Sequence, residues 1–200
     1  PTDSSKRRFL VAGLLTAGAV PKLLSQVKES VASLEGKKVY KKENPVTPPG
    51  SVSREHFQQQ CTSCHLCISK CPSHVLKPAF MEYGFAGVMQ PTVSFEKGFC
   101  NFDCTVCGDV CPNGAILPIS VKQKHLTQMG YVVFIEENCI VYTDGTSCGA
   151  CSEHCPTQAV AMVPYKDGLT IPHVNKEICV GCGGCEYVCP ARPFRAIYIE

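Results

Sequence analysis

The stretch CVGCGGCEYVCP, Cys179 to Pro190, decides how this chain folds. Three cysteines stand with two residues between neighbours, a fourth follows after three more, and a proline closes the run. Such spacing wraps three thiols around one compact metal centre. The fourth lies too far along to reach that centre and turns to a neighbouring one. Proline follows where no amide donor is needed.

The same run recurs three more times upstream. Cys61, Cys64, Cys67 and Cys71-Pro72 repeat it in full. Cys100, Cys104, Cys107 and Cys111-Pro112 carry one extra residue after the first cysteine. Cys139, Cys148, Cys151 and Cys155-Pro156 have an eight-residue bulge, 140–147, in place of the usual two residues after the first cysteine, expected to lie outside the metal cage. With Cys179, Cys182, Cys185 and Cys189, the four quartets use all 16 cysteines. The chain from residue 51 onward is thus an internal repeat with a period of about 25–40 residues.

Two bland readings of so much cysteine fail on the spacing. A disulfide framework needs no repeated two-residue gaps. Structural zinc uses paired C-x2-C knuckles, not runs of three followed by Cys-Pro. The quartets instead match the ligand run of [4Fe–4S] clusters, and all sixteen cysteines are expected to ligate four of them. Sequential pairing predicts the sets Cys61/64/67 with Cys111, Cys100/104/107 with Cys71, Cys139/148/151 with Cys189, and Cys179/182/185 with Cys155. Pairing the first quartet with the fourth and the second with the third is the open alternative.

Composition agrees with a metal-held scaffold. The chain has 200 residues, no Trp and a formal charge of +2 with neutral cysteines. Sixteen thiolates and four cluster cores shift that to about −6. The Lys and Arg residues are scattered, so no nucleic-acid partner is expected. Without metal the chain should fold poorly.

Between quartets, short β-prone pieces recur. They follow each Cys-Pro at 75–78, 115–121, 159–163 and 196–199, and precede quartets two to four at 92–95, 131–135 and 169–174. Turn formers such as Asp167-Gly168 separate them, so each pair of quartets should bracket a hairpin. Residues 108–110, 152–154 and 186–188 should start helical turns. The expected class is α+β, tandem bacterial 2[4Fe–4S] ferredoxin-like domains with short hairpins and helical turns. Residues 51–122 form the first dicluster unit, lacking its first strand, and 123–200 the second.

Residues 1–20 read differently. Ser5-Lys6-Arg7-Arg8-Phe9-Leu10 precedes an apolar run, 9–20, too short to span a bilayer alone. Basic flank, short apolar run and Ala17-Gly18-Ala19 make an export signal of the twin-arginine kind, with Lys6 out of pattern. A membrane-surface helix or uncleaved anchor is the alternative. Residues 21–50 combine an amphipathic helix over Leu23, Leu24, Val27, Val31 and Leu34 with an extended linker at Pro45, Pro48, Pro49 and Gly50. The start at Pro1 and the strand-like end raise the expectation of a piece of a longer, membrane-linked polypeptide.

His65 and His154 lie inside quartets, as exposed polar residues or as donors to cluster sulfur. No paired acids, nucleotide loop or nucleophile elbow appears, so no catalytic residue is expected.

Residues 46–200 resemble the NapG/MauM family of periplasmic polyferredoxins. The likeness rests on the Pro-Pro-Gly before quartet one, Gly114-Ala115 after Pro112, Met129-Gly130-Tyr131, the insertion in quartet three, and Gly181, Gly183 and Glu186 around quartet four. The resemblance implies a four-cluster relay at the periplasmic face of the membrane, with a cytoplasmic setting as the alternative. Its partners would be a membrane quinol-oxidising iron–sulfur protein and a downstream reductase or cytochrome. The rival function is a permanent electron-transfer subunit of a catalytic oxidoreductase. A long extension or an exposed docking surface would mark that rival, and the sequence displays neither.

Overall fold

Short apolar pieces beside the cysteine runs pair into ribbons that stop almost as soon as they begin. The structure is a computed structural model and describes residues 36–200. The export signal or anchor over 1–20 and the amphipathic helix over 23–34 lie outside the described residues. Residues 38–200 cluster as one unit. Among the described residues no helix is long and apolar enough to cross a membrane.

Leu76–Pro78 (β1) pairs antiparallel with Pro91–Val93 (β2), Leu76 opposite Val93 and Pro78 opposite Pro91. The facing prolines have no N–H to donate to each other, and just past them Ala79 donates to the Gln90 carbonyl and Met89 to the Ala79 carbonyl, both at 2.7 Å. Val132–Phe134 (β3) pairs with the distant Ile197–Ile199 (β6). Val160–Pro164 (β4) pairs with Thr170–Val174 (β5) around the Asp167-Gly168 turn, whose residues take φ of 53° and 74°. Each ribbon stands as its own two-stranded sheet.

A short helix follows in each quartet, carrying the third cysteine. These are Leu66–Lys70 (α2), Val106–Asp109 (α3), Ala150–Glu153 (α6) and Gly184–Val188 (α7). Helix α2 packs on α3, and α6 on α7, so quartets one and two adjoin, as do three and four. Before them, Arg54–Gln60 (α1) is started by Ser53, whose hydroxyl accepts from the His56 amide at 3.1 Å, and buries Phe57 completely.

Two expectations fail for local reasons. Residues 115–121 do not form a strand. Pro118 lacks a donor, and Ser120 with Gln123 closes a capping box that starts helix Val121–Leu126 (α4). The insertion in quartet three does not loop out freely. Its first half is helix Ile140–Asp144 (α5), which buries Val141 and ends at left-handed Gly145.

The first half echoes the β3–β6 ribbon with a single rung. The Leu117 amide donates to the Gly50 carbonyl at 3.0 Å, and the neighbouring Pro48, Pro49 and Pro118 have no N–H to donate. That is the physical form of the missing first strand.

The extended segment ending at Gly50 is packed as well as extended. Val46 is buried and accepts from the Val93 amide at 3.0 Å. Farther upstream, the fully buried Asn138 accepts from the Lys38 amide at 2.8 Å and donates to the Lys38 and Arg195 carbonyls at 2.8 and 3.0 Å. Replacing it strands one buried donor and two acceptors, at about 1–3 kcal/mol for such a loss. Asn138→Ala should therefore lower stability by about 2 kcal/mol, read as an earlier denaturant midpoint under anaerobic conditions. An unchanged midpoint would show that the 38–44 segment does not depend on this side chain.

Candidate metal centres

Seven of the thiols, from Cys67 to Cys189, belong to the buried core alongside Phe57, Phe95, Ile116 and Ile197. Large apolar side chains are few, so sulfur fills the interior. None of the sixteen cysteines is joined in a disulfide.

The backbone gathers the cysteines into four groups. Group A is Cys61, Cys64, Cys67 and Cys111 around one small cavity. Group B is Cys100, Cys104, Cys107 and Cys71 around a second. Group C is Cys139, Cys148, Cys151 and Cys189 around a third. Group D is Cys179, Cys182, Cys185 and Cys155, tied by mutual charge: after burial, Cys182, Cys179 and Cys155 are what most raise the Cys185 thiol. In each group three cysteines come from one quartet and the fourth from its neighbour. This geometry follows the sequential pairing and not its alternative.

The loop conformation explains how three thiols face one cavity. In quartet four, Gly181 and Gly183 take φ of 73° and 79°. A Cβ on Gly181 would lie 2.6 Å from the Gly130 amide nitrogen, and one on Gly183 would lie 1.9 Å from the Phe95 ring. Quartet one bends the same way at Ser63 and His65, with φ of 54° and 61° and no such close neighbour. The bend turns backbone amides toward sulfur: burial raises the Cys179, Cys182 and Cys61 thiols, and amides donated by Gly181, Gly184 and Ser63 respectively oppose that larger rise. Two further amides reach the sulfurs of crossing cysteines. Ile116 donates to Cys111 Sγ and Ala196 to Cys189 Sγ, both at 3.4 Å. In quartet three, α5 sends the Val141 and Tyr142 amides to Cys139.

Burial works the other way. It pushes the Cys107 thiol up to about 12, the Cys151 thiol to about 12 and the Cys67 thiol to about 11, with neighbouring cysteines adding to each rise. Sulfurs crowded like this cannot all be thiolates unless a cation sits among them. Among the described residues, no three His, Cys, Asp or Glu side chains converge to hold a single ion. One zinc would need four sulfurs at about 2.3 Å from a point. Four thiols spread round an apolar cavity, with amides aimed at them, suit a multi-iron core.

The groups are not isolated. Cys67 of group A acts on Cys107 of group B, and Cys151 of group C on Cys185 of group D. Between the halves, Cys100 of group B acts on Cys182 of group D, and the Cys100 amide donates to the Cys182 carbonyl at 2.8 Å. The order in space is A, B, D, C.

The two quartet histidines bond backbone carbonyls. The His65 ring bonds the Met89 carbonyl at 2.8 Å, and His154 bonds the Ala150 carbonyl at 3.0 Å. Sequence reasoning missed Lys124. This buried lysine on α4 reaches Cys100 Sγ at 3.3 Å, and only the Ser120/Gln123 capping box hinted at a helix there. It missed an apolar surface too. The loop between β1 and β2 exposes Phe80, Met81, Phe85, Val88 and Met89, with Phe85 86% exposed.

Comparison with known proteins agrees on the class. A family model described as a 4Fe-4S dicluster domain matches residues 146–192. That stretch begins after Cys139, the ligand candidate that α5 brings back to group C. The chain is similar to the ferredoxin-type protein NapF of Escherichia coli, 29% identical over 160 residues, covering 80% of this chain and 89% of that protein. It is similar to the ferredoxin-type protein NapG of Escherichia coli, 28% identical over 198 residues, covering 94% and 82%. It is 30% identical over 200 residues to the methylamine utilization ferredoxin-type protein MauM of Methylorubrum extorquens, covering 94% and 86%. Fold, cysteine groups and relatives define a ferredoxin-type electron-transfer protein carrying 4Fe–4S clusters. The chain belongs to the NapG/MauM family of ferredoxin-type proteins.

Proposed function

We propose that the chain holds four [4Fe–4S] clusters, one in each of groups A to D, as two ferredoxin-like dicluster units in tandem, and relays single electrons along the order A, B, D, C. The observation that carries this is the convergence of all sixteen cysteines into four groups of four, each completed by the neighbouring quartet. A bound cluster supplies a reversible one-electron couple. The chain's own residues do the rest: thiolates hold the iron, amides at Cys61, Cys111, Cys179, Cys182 and Cys189 offset sulfur charge, and apolar walls keep water out. The Cys100–Cys182 contact joins the two units.

The chain is a carrier and not an enzyme in this reading. A cleft of about 490 Å³ among the described residues contains no cysteine. Glu186 in that cleft is occupied by Lys42, Arg195 and the Ile199 amide. No bond chemistry is assigned to it.

The electrons pass between a membrane quinol-oxidising iron–sulfur protein and an exported reductase or cytochrome. Family membership and the Lys6-Arg7-Arg8 segment support this setting at the periplasmic face of the membrane. One observation favours the alternative of a permanent subunit in an oxidoreductase complex. The Phe80–Met89 apolar loop lies beside group A through the His65 contact, and contiguous exposed apolar surface of this kind marks protein contact.

Anaerobic iron and sulfide analysis with redox-titrated EPR tests the cofactor content. About sixteen irons per chain are expected, four for each cluster. Zinc, or a quarter of that iron, would sink the reading. For the setting, replacing Lys6, Arg7 and Arg8 by Gln should leave the protein in the cytoplasmic fraction. Undiminished arrival in the periplasm would refute the export role of that segment.

A further inference from the structure

Only one charged side chain among the described residues touches a cysteine sulfur. Lys124 is 5% exposed. Its Nζ lies 3.3 Å from Cys100 Sγ and 2.6 Å from the Asn101 carbonyl, and also bonds the Cys104 carbonyl. None of the ion pairs of the described residues includes it. A buried ammonium without a carboxylate is costly. The sulfur it touches is that of Cys100, and its charge also acts on Cys107.

Sequence shows why Lys124 fits there. Quartet two carries one residue more than quartets one and four, and the Asn101 and Cys104 carbonyls of its longer first loop both accept from Lys124. Helix α4, started by the Ser120/Gln123 capping box, lies over this loop. Phe102 stacks on His125 at 3.9 Å and His125 bonds Asp103 at 2.9 Å, which fixes the helix against it. Burial raises the Cys100 thiol, and the charge of Lys124 and its hydrogen bond oppose that rise. Groups A, C and D are served at sulfur by neutral amides instead.

We infer that Lys124 is a positioning and tuning residue that raises the reduction potential of group B above the value its cysteines alone would give, making the junction between the two units a favoured resting place for the electron. This rests on the four-cluster reading. Reduction adds one electron to the group, so one more negative charge must be accommodated. A fixed positive charge at a ligand sulfur favours that state. No bond forms or breaks and no proton moves; the electron comes from the preceding group in the relay, or from dithionite in a titration. Because Cys100 also carries the amide contact to Cys182, the tuned group is the one that faces the other unit.

Lys124→Gln keeps an amide donor for the two carbonyls and removes the charge, while Lys124→Arg keeps the charge. Each is compared with the parent by iron analysis and anaerobic EPR-monitored redox titration. In Lys124→Gln one of four midpoints should fall, the other three should hold, and iron content should match the parent. Lys124→Arg should keep that midpoint above the Gln variant. Four unmoved midpoints in a fully loaded Lys124→Gln would overturn the tuning role. Loss of one group's iron from Lys124→Gln, whether or not Lys124→Arg retains it, would mark the lysine as a loop clip and overturn it too. A parent without such iron would fail the four-cluster reading itself and take the role of Lys124 with it.

Discussion

The crossing of the fourth cysteine is the constraint on which the rest of the molecule depends. Cys71 completes group B and Cys111 group A; Cys155 completes group D and Cys189 group C. Because each quartet needs its neighbour, quartets one and two must lie side by side, and so must three and four. That requirement sets the packing of α2 on α3 and α6 on α7, and the ribbons β1–β2 and β4–β5 are the short connections that allow it. Three-residue strands and five-residue helices would be marginal alone. Here metal–thiolate bonds supply what a larger apolar core supplies elsewhere.

Much of this was legible in the sequence because cysteine spacing is a direct statement about geometry. The four runs, the hairpin pieces at 75–78, 92–95, 159–163 and 169–174, and the helical turns before Cys111, Cys155 and Cys189 follow from local patterns. What was not legible depends on contacts across the chain. The strand expected over 115–121 gave way to a proline and a capping box, a signal present as Ser120-x-x-Gln123 but outweighed by the apolar run before it. The linker reading of 45–50 missed that Val46 completes the β1–β2 side of the core and that Gly50 meets Leu117. Nothing local to Lys124 marks it as a neighbour of Cys100, twenty-four positions away.

The irregularities of the repeat carry its individuality. Quartet four buys its tight loop with Gly181 and Gly183, where side chains would strike Gly130 and Phe95. Quartet one makes the same turns with Ser63 and His65, and the His65 ring then anchors the exposed apolar loop at Met89. The insertion in quartet three becomes a helix that returns Cys139 to its group. In quartet two a buried lysine bonds the Asn101 and Cys104 carbonyls. The four cysteine groups thus sit in four different surroundings, and surroundings tune metal centres.

Anomalous diffraction at the iron edge from anaerobically grown crystals tests the central claim most directly. Four iron positions are expected, each among three cysteines of one quartet and the last cysteine of its neighbour, with groups B and D meeting at Cys100 and Cys182. Iron held by four cysteines of a single quartet, or fewer than four positions, would contradict it.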